Sequence, residues 1–388
     1  MSSQQRIYLD NAATSWPKPE AVYSAVDEYQ REIGAAAGRA GYQHAEMAQR
    51  TVEATRAACA RLLGISEPHR LAFTANGTDA LNLAIHGLLR SGDHVVTTVC
   101  EHNSVLRPLS HQTQNNGVDV TYVGCDAAGY VDPDEIGRAI KSNTRFVAVT
   151  HASNVTGAVQ PIAEIAGIAH QNRTLLLVDA AQTAGCLSID VERHKIDIFA
   201  TGGHKGLLGP LGTGLLYLRG NLSEGILPVR QGGTGTDSRT ESQPMMMPEM
   251  LESGNLNVPA LAGLGAAVKF LGDQPESAQL TRYSNQLLDG LGEIEGIELF
   301  GPRSDQPRVC VVSFAVEGYD PQEFATALDA VGGVQCRAGL HCAPRMHAAM
   351  GSDRTGGLVR LSPGWATTDA EIEQAIGCIQ DLASTTAC

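Results

Sequence analysis

The segment Val178–Pro210 has the sequence VDAAQTAGCLSIDVERHKIDIFATGGHKGLLGP, and the fold prediction starts from it. Two apolar, β-rich runs, Thr174–Val178 and Ile196–Ala200, are followed by polar residues. The first run is followed by Asp179, and the second by a Gly-rich turn that contains Lys205. Open α/β sheets bind their ligands at the carboxyl ends of the strands. We therefore expect an acid and an amine to face one pocket.

One cofactor requires such a pair of groups. Pyridoxal phosphate is carried as a Schiff base on a lysine, and its ring nitrogen stays protonated when a carboxylate lies against it. Either residue alone is more typical of an ordinary strand-end carboxylate or of a solvated loop lysine. Together with the other strand ends described below, the pair favours Lys205 as the carrier of the cofactor and Asp179 as the partner of its ring nitrogen.

Composition limits the size, class and partners of the protein. The chain has 388 residues, 43% of them hydrophobic, which suits two domains of unequal size. Its formal net charge of −14, without a block of Lys or Arg, argues against nucleic acid or an anionic membrane as a partner. The chain starts without a signal-like segment and has no apolar run of membrane-spanning length, so we expect a cytoplasmic protein with a small ligand. Nine cysteines without CxxC spacing predict neither a disulfide framework nor a metal site.

Seven apolar, β-rich runs are mostly separated by helical stretches such as Thr78–Leu89 and Ile162–His170. This alternation predicts an α/β fold in which a mostly parallel, seven-stranded sheet carries helices on both faces. The predicted strands are Leu71–Thr74, Val95–Val99, Val118–Val123, Phe146–Thr150, Thr174–Val178, Ile196–Ala200 and Gly214–Leu218.

The pattern changes at Pro259, where two long helices precede two strands and two late helices. This change predicts a second, smaller α+β domain. We predict an N-terminal arm over residues 1–19 that packs with the small domain, a large cofactor-binding domain over 20–258 and the small domain over 259–388. The other predicted elements are the helices Glu20–Glu32, Met47–Leu63, Ala260–Leu271 and Ser277–Leu291 and the strands Ile297–Phe300 and Val309–Phe314.

Polar groups also follow the other strands of the predicted sheet. Gly77 and Thr78 stand where a strand gives way to a helix N-terminus, a position that suits a phosphate, although a plain helix cap explains them equally well. His102 follows the next strand. Asn154 and Gln182 are amide donors that could reach the ring oxygen of the cofactor. Four successive strand ends therefore direct polar groups to one crevice.

The segments YLDNAAT, EHNS, THASNVTG, VDAAQ, GGHK, ESGNLN, RAGLHCAP and VRLSPGW occur in this order over nearly the whole chain. This ordered set resembles the cysteine desulfurases, pyridoxal phosphate enzymes of fold type I in the class V aminotransferase superfamily. RAGLHCAP is most similar to the group II branch, which includes selenocysteine lyases. The resemblance implies a homodimer with active sites at the subunit interface, L-cysteine as substrate, a sulfur-acceptor protein as partner and sulfur supply for iron–sulfur cluster assembly.

The resemblance also implies a role for particular residues. Lys205 would carry the cofactor, Asp179 would pair with the pyridinium, and His102 would stack on the ring as a further catalytic group. The remaining implied contacts are those of Asn154 and Gln182 with the phenolic oxygen, of Gly77, Thr78, His204 and the partner subunit's Asn255 with the phosphate, and of Arg360 and Asn11 with the substrate.

Cys342 decides which reaction the chain performs. Sequence alone slightly favours a buried, inert thiol at this position, although Arg337 and His341 are neighbours that favour a thiolate and Gly339 permits a tight turn. The motif match reverses this preference, because the family's persulfide-forming cysteine occupies this position. Cys336 has no such match. The implied reaction converts L-cysteine to L-alanine and leaves the sulfur on Cys342.

Three positions depart from the family pattern. Gly202 stands where a Ser or Thr usually precedes Gly-His-Lys, so one hydroxyl for the phosphate is missing unless Thr201 supplies it. Asn255 replaces a Thr, and Tyr42 stands where relatives often have His. Other activities also remain open: a selenocysteine lyase or a cysteine sulfinate desulfinase would use the same residues, a cystine lyase or an aminotransferase would not need Cys342, and a silent scaffold would bind a sulfur-handling partner.

Overall fold

The computed structural model describes residues 6–38, 41–220, 222, 225–235, 239–272 and 278–384. Ser277, the predicted first residue of a helix, and the outer ends of the predicted arm and small domain (residues 1–5 and 385–388) lie outside the described residues. The strands are β1 Ile7–Tyr8, β2 Leu71–Thr74, β3 His94–Thr98, β4 Asp119–Val123, β5 Thr144–Thr150, β6 Leu175–Asp179, β7 Ile198–Gly202, β8 Gly214–Leu218, β9 Ile297–Phe300, β10 Val312–Val316, β11 Val334–Gln335, β12 Arg337–Gly339 and β13 Leu358–Leu361. The helices are α1 Glu20–Glu28, α2 Gln43–Leu62, α3 Gly77–Leu88, α4 Asn103–Asn116, α5 Pro133–Ala139, α6 Ile162–Gln171, α7 Val258–Gly272, α8 Ala278–Gly292, α9 Pro321–Gly332, α10 Pro344–Met350 and α11 Asp369–Ser384.

The main sheet has the strand order β2-β8-β7-β6-β5-β3-β4. Its neighbouring strands are parallel except at β8, which is antiparallel to both β2 and β7. Side chains alternate between the two faces: Val147 and Val149 of β5 belong to one apolar cluster, whereas Phe146 and Ala148 belong to the other. Because both faces are covered, the central strands are apolar along their length. The predicted mostly parallel, seven-stranded sheet is confirmed.

A second sheet of four strands has the order β12-β13-β10-β9. Its apolar side packs against α8, α9 and α11 through residues such as Leu287, Phe324 and Ile379. The N-terminal segment joins this unit, because β1 pairs in parallel with β11 and both Ile7 and Leu9 are buried in the same cluster. Helix α7 packs against α1 and α2. The domain boundaries at 19/20 and 258/259 remain predictions.

Two predicted elements differ from the structure, and α4 is a helix that was not named from sequence. The sequence of α4 is polar and contains Pro108, yet Val105 and Leu109 bury its inner face. The predicted helix Glu20–Glu32 ends as an α-helix at Glu28 and continues as a π-helical turn over Tyr29–Ile33. The predicted strand Val309–Phe314 begins only at Val312, because the N–H of Val309 donates instead to the carbonyl of Gly157 at 2.9 Å. Tertiary contacts override local preference at each of these places.

Neither a membrane-spanning helix nor a cluster of metal ligands occurs among the described residues. No described helix combines the length and apolarity that are needed to cross a bilayer. Within the same residues, no group of three or more His, Cys, Asp or Glu side chains lies close enough to hold a metal ion.

Candidate active site

The carboxyl ends of β2, β3, β5, β6 and β7 meet at one edge of the main sheet, and a pocket opens there. Eight of the residues predicted from sequence line this pocket together. They are Gly77, Thr78, His102, Asn154, Asp179, Gln182, His204 and Lys205. Asn11 lines a larger adjoining cavity that shares Gln182 and Lys205 with the pocket. Arg360, Cys342 and Asn255 do not line the walls of the pocket within this chain.

Lys205 lies in the tight turn after β7. Glycine is required in this turn, because a Cβ on Gly206 would lie 2.5 Å from the carbonyl oxygen of Ala184. Burial of the amine lowers the pKa of Lys205 to about 8, and the attraction of Asp179 only partly opposes this shift. A larger fraction of this amine than of an ordinary lysine is therefore uncharged near neutral pH and can attack an aldehyde.

Asp179 ends β6 and is 3% exposed. Burial raises the pKa of its carboxyl, while the N–H of Ala181, which donates to Oδ1 at 2.9 Å, and the Lys205 amine act in the opposite direction. A buried carboxyl in this state gains from a cationic partner. The ring nitrogen of pyridoxal phosphate, when protonated, is such a partner.

The opposite end of the pocket is suited to an anion. The N–H groups of Gly77 and Thr78 precede the first backbone bond of α3, which runs from Ala80 N to Asn76 O at 3.1 Å. Burial lowers the pKa of His204 to about 4, so its ring is neutral, and its Nδ1 is buried without a hydrogen-bond partner among the described residues. A phosphate group would satisfy these donors, so the residues present fit the phosphate of the cofactor.

His102 stands at the beginning of α4 as its N-cap. Its Nδ1 accepts the N–H of Ser104 at 3.0 Å and lies 2.8 Å from the Ser104 hydroxyl oxygen. Burial and the charge of Lys205 lower the pKa of His102 to about 4. Because Nδ1 accepts a backbone N–H, the proton of this neutral ring lies on Nε2. The ring is therefore oriented and uncharged, as stacking on a cofactor requires.

Asn154 and Gln182 line the pocket, and each side-chain amide already donates one hydrogen bond to a backbone carbonyl. Asn154 Nδ2 donates to the carbonyl of His341 at 2.7 Å, and Gln182 Nε2 donates to the carbonyl of Ala12 at 3.1 Å. Their predicted contacts with the phenolic oxygen remain predictions. The Asn154 bond also connects the pocket to the segment that contains Cys342.

Arg360 is 2% exposed and is held by the N-terminal segment. Its Nη2 lies 2.7 Å from Asp10 Oδ1, its Nη1 donates to the carbonyl of Asn154 at 3.0 Å, and its Nε has no partner among the described residues. Asn11 Nδ2 donates to the carbonyl of Ser362 at 3.0 Å. A carboxylate therefore already contacts the guanidinium, and the binding of a substrate carboxylate by Arg360 and Asn11 remains a prediction.

Cys342 is exposed, whereas the other described cysteines are buried or half-buried. The burial expected from sequence alone is therefore wrong, because the short loop between β12 and α10 leaves this side chain exposed, and the reactivity of the thiol remains a prediction. His341 and Cys342 have φ angles of +48° and +57°, in the left-handed region that is rare for residues other than glycine. The N–H of Asn103 donates to the Cys342 carbonyl at 2.7 Å and holds the loop.

The two residues predicted as cationic neighbours of Cys342, His341 and Arg337, differ in burial. His341 is buried, and burial lowers its pKa well below the ordinary value, so the imidazole carries no charge near neutral pH. Its Nδ1 lies 3.3 Å from Nε2 of His347, which in turn contacts the Ser352 hydroxyl through Nδ1 at 2.8 Å. Arg337 is exposed, and an effect of its charge on the Cys342 thiol remains a prediction.

The structure shows where the three residues that depart from the family pattern lie relative to the pocket. The Thr201 hydroxyl is buried and lies 3.3 Å from the carbonyl oxygens of both Ala180 and Gly202, so it does not replace the hydroxyl that is missing at Gly202. Asn255 and Tyr42 are both exposed, and neither lines the pocket of its own chain. A contact of Asn255 with the phosphate of a partner subunit remains a prediction.

Sequence reasoning missed three residues in or beside the pocket. Ser104 lines it directly. Glu101 is buried next to it, where Oε1 accepts bonds from Thr98 Oγ1 at 2.7 Å and from Thr150 N at 3.0 Å, and burial raises its pKa to about 8. Lys18 Nζ donates to the carbonyl of His204 at 2.8 Å. The position of Ser104, two residues after His102 at a helix start, was a usable signal, whereas Lys18 had none.

The family model for class V aminotransferases matches residues 7–375. A probable cysteine desulfurase of Methanothermobacter thermautotrophicus is 34% identical over 98% of this chain and 95% of its own length. A probable cysteine desulfurase of Halalkalibacterium halodurans is 36% identical over 87% of this chain and 84% of its own length.

Solved structures agree with these sequence matches. The apo structure of the Thermococcus onnurineus cysteine desulfurase has a TM-score of 0.91 and 31% identity, covering 98% of this chain and 95% of that one. The S-sulfonic acid form of the Escherichia coli cysteine desulfurase CsdA has a TM-score of 0.88 and 28% identity, with the same coverage of 98% and 95%. The predicted fold class is confirmed. The chain belongs to the class V aminotransferase family, in its cysteine desulfurase branch.

Proposed function

We propose that this chain is a pyridoxal phosphate-dependent cysteine desulfurase that converts L-cysteine to L-alanine and keeps the sulfur as a persulfide on Cys342. One observation carries the proposal. The pocket that contains Lys205 and Asp179 is joined to the exposed Cys342 loop by the 2.7 Å bond from Asn154 Nδ2 to the carbonyl of His341. A site for withdrawing electrons and a thiol for receiving sulfur are thus parts of one connected structure.

When bound, pyridoxal phosphate draws electrons away from the substrate Cα and so weakens its bond to hydrogen. The carboxylate of Asp179 would hold the proton on the ring nitrogen of the cofactor. The Lys205 amine, with a pKa of about 8, would hold the cofactor and, when free, would accept the Cα proton and return it. The neutral ring of His102 lines the pocket, where it would stack on the ring of the cofactor.

The sulfur step uses the exposed thiol. The Cys342 thiolate attacks the substrate sulfur, so that an S–S bond forms while the Cβ–S bond breaks. The electron pair of the broken bond stays on Cβ, which takes up a proton and becomes the methyl group of alanine. Both sulfur atoms of the new S–S bond are oxidised and the carbon is reduced, so the step needs no external oxidant. Exposure of Cys342 then lets an acceptor thiol reach the persulfide.

The proposed assembly is a homodimer with active sites at the subunit interface. Four large apolar side chains are exposed between residues 227 and 246, the most open being Met246 at 75%. Exposed apolar side chains grouped along one segment are typical of an interface. The same proposal includes a sulfur-acceptor protein as partner, a cytoplasmic location and sulfur supply for iron–sulfur cluster assembly. Sedimentation of the purified protein at twice the mass of one chain is the expected result for the dimer.

The test offers cysteine, selenocysteine and cystine separately to the purified protein loaded with pyridoxal phosphate. We expect alanine from cysteine, with sulfide released in equal amount when a reductant is present. Cys342→Ser should lose this activity, and Cys336→Ser should keep it as the matched control. Pyruvate from cystine, with no requirement for Cys342, would instead indicate a carbon–sulfur lyase. Alanine from selenocysteine alone would indicate a selenocysteine lyase.

A further inference from the structure

The phosphate end of the pocket lacks a hydroxyl on the side of β7. Gly202 has no side chain, and the Thr201 hydroxyl contacts only backbone carbonyl oxygens, at 3.3 Å. A Cβ on Gly202 would lie 3.3 Å from Cδ2 of His204, a tight contact that a small shift of the ring relieves. The wall formed by β7 therefore contributes His204 and backbone atoms, with no hydroxyl.

A hydroxyl is present on the other side of the same pocket. Ser104 lies in the first turn of α4, is 8% exposed and lines the pocket. Its Oγ lies 2.7 Å from Oγ1 of Thr78, which lies in the first turn of α3. The first turns of two helices thus bring two hydroxyls into contact, next to the free N–H groups of α3.

We propose that Ser104 is a positioning residue that binds the phosphate of the cofactor jointly with Thr78 and replaces the hydroxyl that is absent at position 202. The inference rests on the cofactor proposed above. Each hydroxyl has a single proton, and both protons can point to phosphate oxygens at once. Without a phosphate, the Thr78 hydroxyl can donate to Ser104 Oγ, and the Ser104 proton can point to the unprotonated Nδ1 of His102, 2.8 Å away. Anionic oxygens are the stronger acceptors, so both hydroxyls turn to them.

Ser104 also connects the phosphate to His102. Its backbone N–H donates to Nδ1 of His102 at 3.0 Å, and its Oγ lies 2.8 Å from the same nitrogen, but the N–H bond does not depend on the hydroxyl. The hydroxyl can therefore move to the phosphate while the N–H still holds the imidazole with its proton on Nε2. Removing only the hydroxyl should weaken phosphate binding and leave the orientation of His102 intact.

The experiment measures the dissociation constants of pyridoxal phosphate and of pyridoxal, which lacks the phosphate, for the apoprotein in phosphate-free buffer. Ser104→Ala should raise the dissociation constant of pyridoxal phosphate about tenfold or more, because a hydrogen bond to a charged group is lost. The dissociation constant of pyridoxal should stay unchanged. Gly202→Ser added to Ser104→Ala should recover much of the loss, and Ser104→Thr should retain most of the affinity. Ser110→Ala, an exposed position on α4, is the matched control and should change neither constant.

Three outcomes would overturn the inference. In the first, wild-type protein binds pyridoxal phosphate and Ser104→Ala binds it equally well. In the second, Ser104→Ala weakens the binding of pyridoxal and of pyridoxal phosphate to the same extent, which indicates a general effect on the fold. In the third, wild-type protein binds neither compound, and then the proposed cofactor fails and the inference fails with it. Circular dichroism of each variant separates loss of folding from loss of binding.

Discussion

The strand-end pocket and the Cys342 loop prepare their reactive groups in opposite ways. In the pocket, burial raises the pKa of Asp179 and lowers that of Lys205 to about 8. In the loop, Cys342 is exposed, and its backbone is held in the left-handed region together with that of His341. Two such residues cost about 1–2 kcal/mol each, which neighbouring contacts must offset. The pKa values of Asp179 and Lys205 are shifted because water is excluded from these groups. Cys342 must instead be accessible to a sulfur acceptor.

The largest predicted effect comes from removing the amine of the pocket. Lys205→Ala should abolish turnover and the borohydride-sensitive visible absorbance of the bound cofactor, because no other group in the pocket supplies a nucleophilic amine. Lys269→Ala, at an exposed position on α7, should change neither property. A reducible linkage that survives in Lys205→Ala would assign the role to another lysine, such as Lys18, whose amine donates to the carbonyl of His204.

The next effect comes from the carboxyl of the pocket. Asp179→Ala should slow exchange of the substrate Cα proton by about 10²-fold or more, because charge stabilisation of several kcal/mol is lost. Asp179→Asn keeps the shape without the charge and should show most of the same loss. Exchange of deuterium at Cα, followed by NMR, measures this step without requiring alanine to form. An unchanged exchange rate in both variants would contradict the assigned role.

The pocket was largely predictable from sequence, and the loop was not. Apolar runs end just before or at Asp179, His102 and Lys205, and parallel strands bring their carboxyl ends together, so strand periodicity was sufficient to group these residues. The exposure of Cys342 depends on tertiary contacts such as that of Asn103 with its carbonyl. No periodicity in RAGLHCAP encodes that contact, and only the motif match pointed to a reactive thiol.

The same reason explains what sequence reasoning missed inside the pocket. Helix α4 has a polar sequence, so its start was not recognised and Ser104 was not placed beside Thr78. Lys18 reaches the carbonyl of His204 across the fold, from a segment with no periodic pattern. Burial of Glu101 follows from its position between the ends of β3 and β5. Each of these is a contact between segments that are distant in sequence.

A smaller effect is expected in the rate at which the apoprotein takes up the cofactor, which should change about tenfold per pH unit below the pKa of Lys205. Only the uncharged amine attacks the aldehyde, and the amine is protonated below its pKa. Because the pKa of Lys205 is lowered to about 8, the uptake rate should rise with pH up to about 8 and level off above it. An amine with the ordinary pKa of lysine would show a rise that continues beyond pH 10. Stopped-flow absorbance measures the rate.

The exposed loop should not affect this profile. In Cys342→Ser, the rate of cofactor uptake should therefore level off at the same pH as in the wild-type protein. In Asp179→Ala it should level off at lower pH, because the attraction of the carboxylate raises the pKa of Lys205. A rise through pH 10 in the wild-type protein would show that burial does not control the amine.

In this account the pocket removes the Cα proton and Cys342 in the loop takes up the sulfur. Mass analysis of the enzyme after brief mixing with L-cysteine tests this separation of roles most directly. Wild-type protein should gain one sulfur on the peptide that contains Cys342, removable by reductant. The peptide segment containing Cys336, whose pKa burial raises to about 12, should stay unmodified. Cys342→Ser should still exchange the Cα proton of cysteine and make almost no alanine. Sulfur on a different cysteine, or alanine formed by Cys342→Ser at the wild-type rate, would contradict the account.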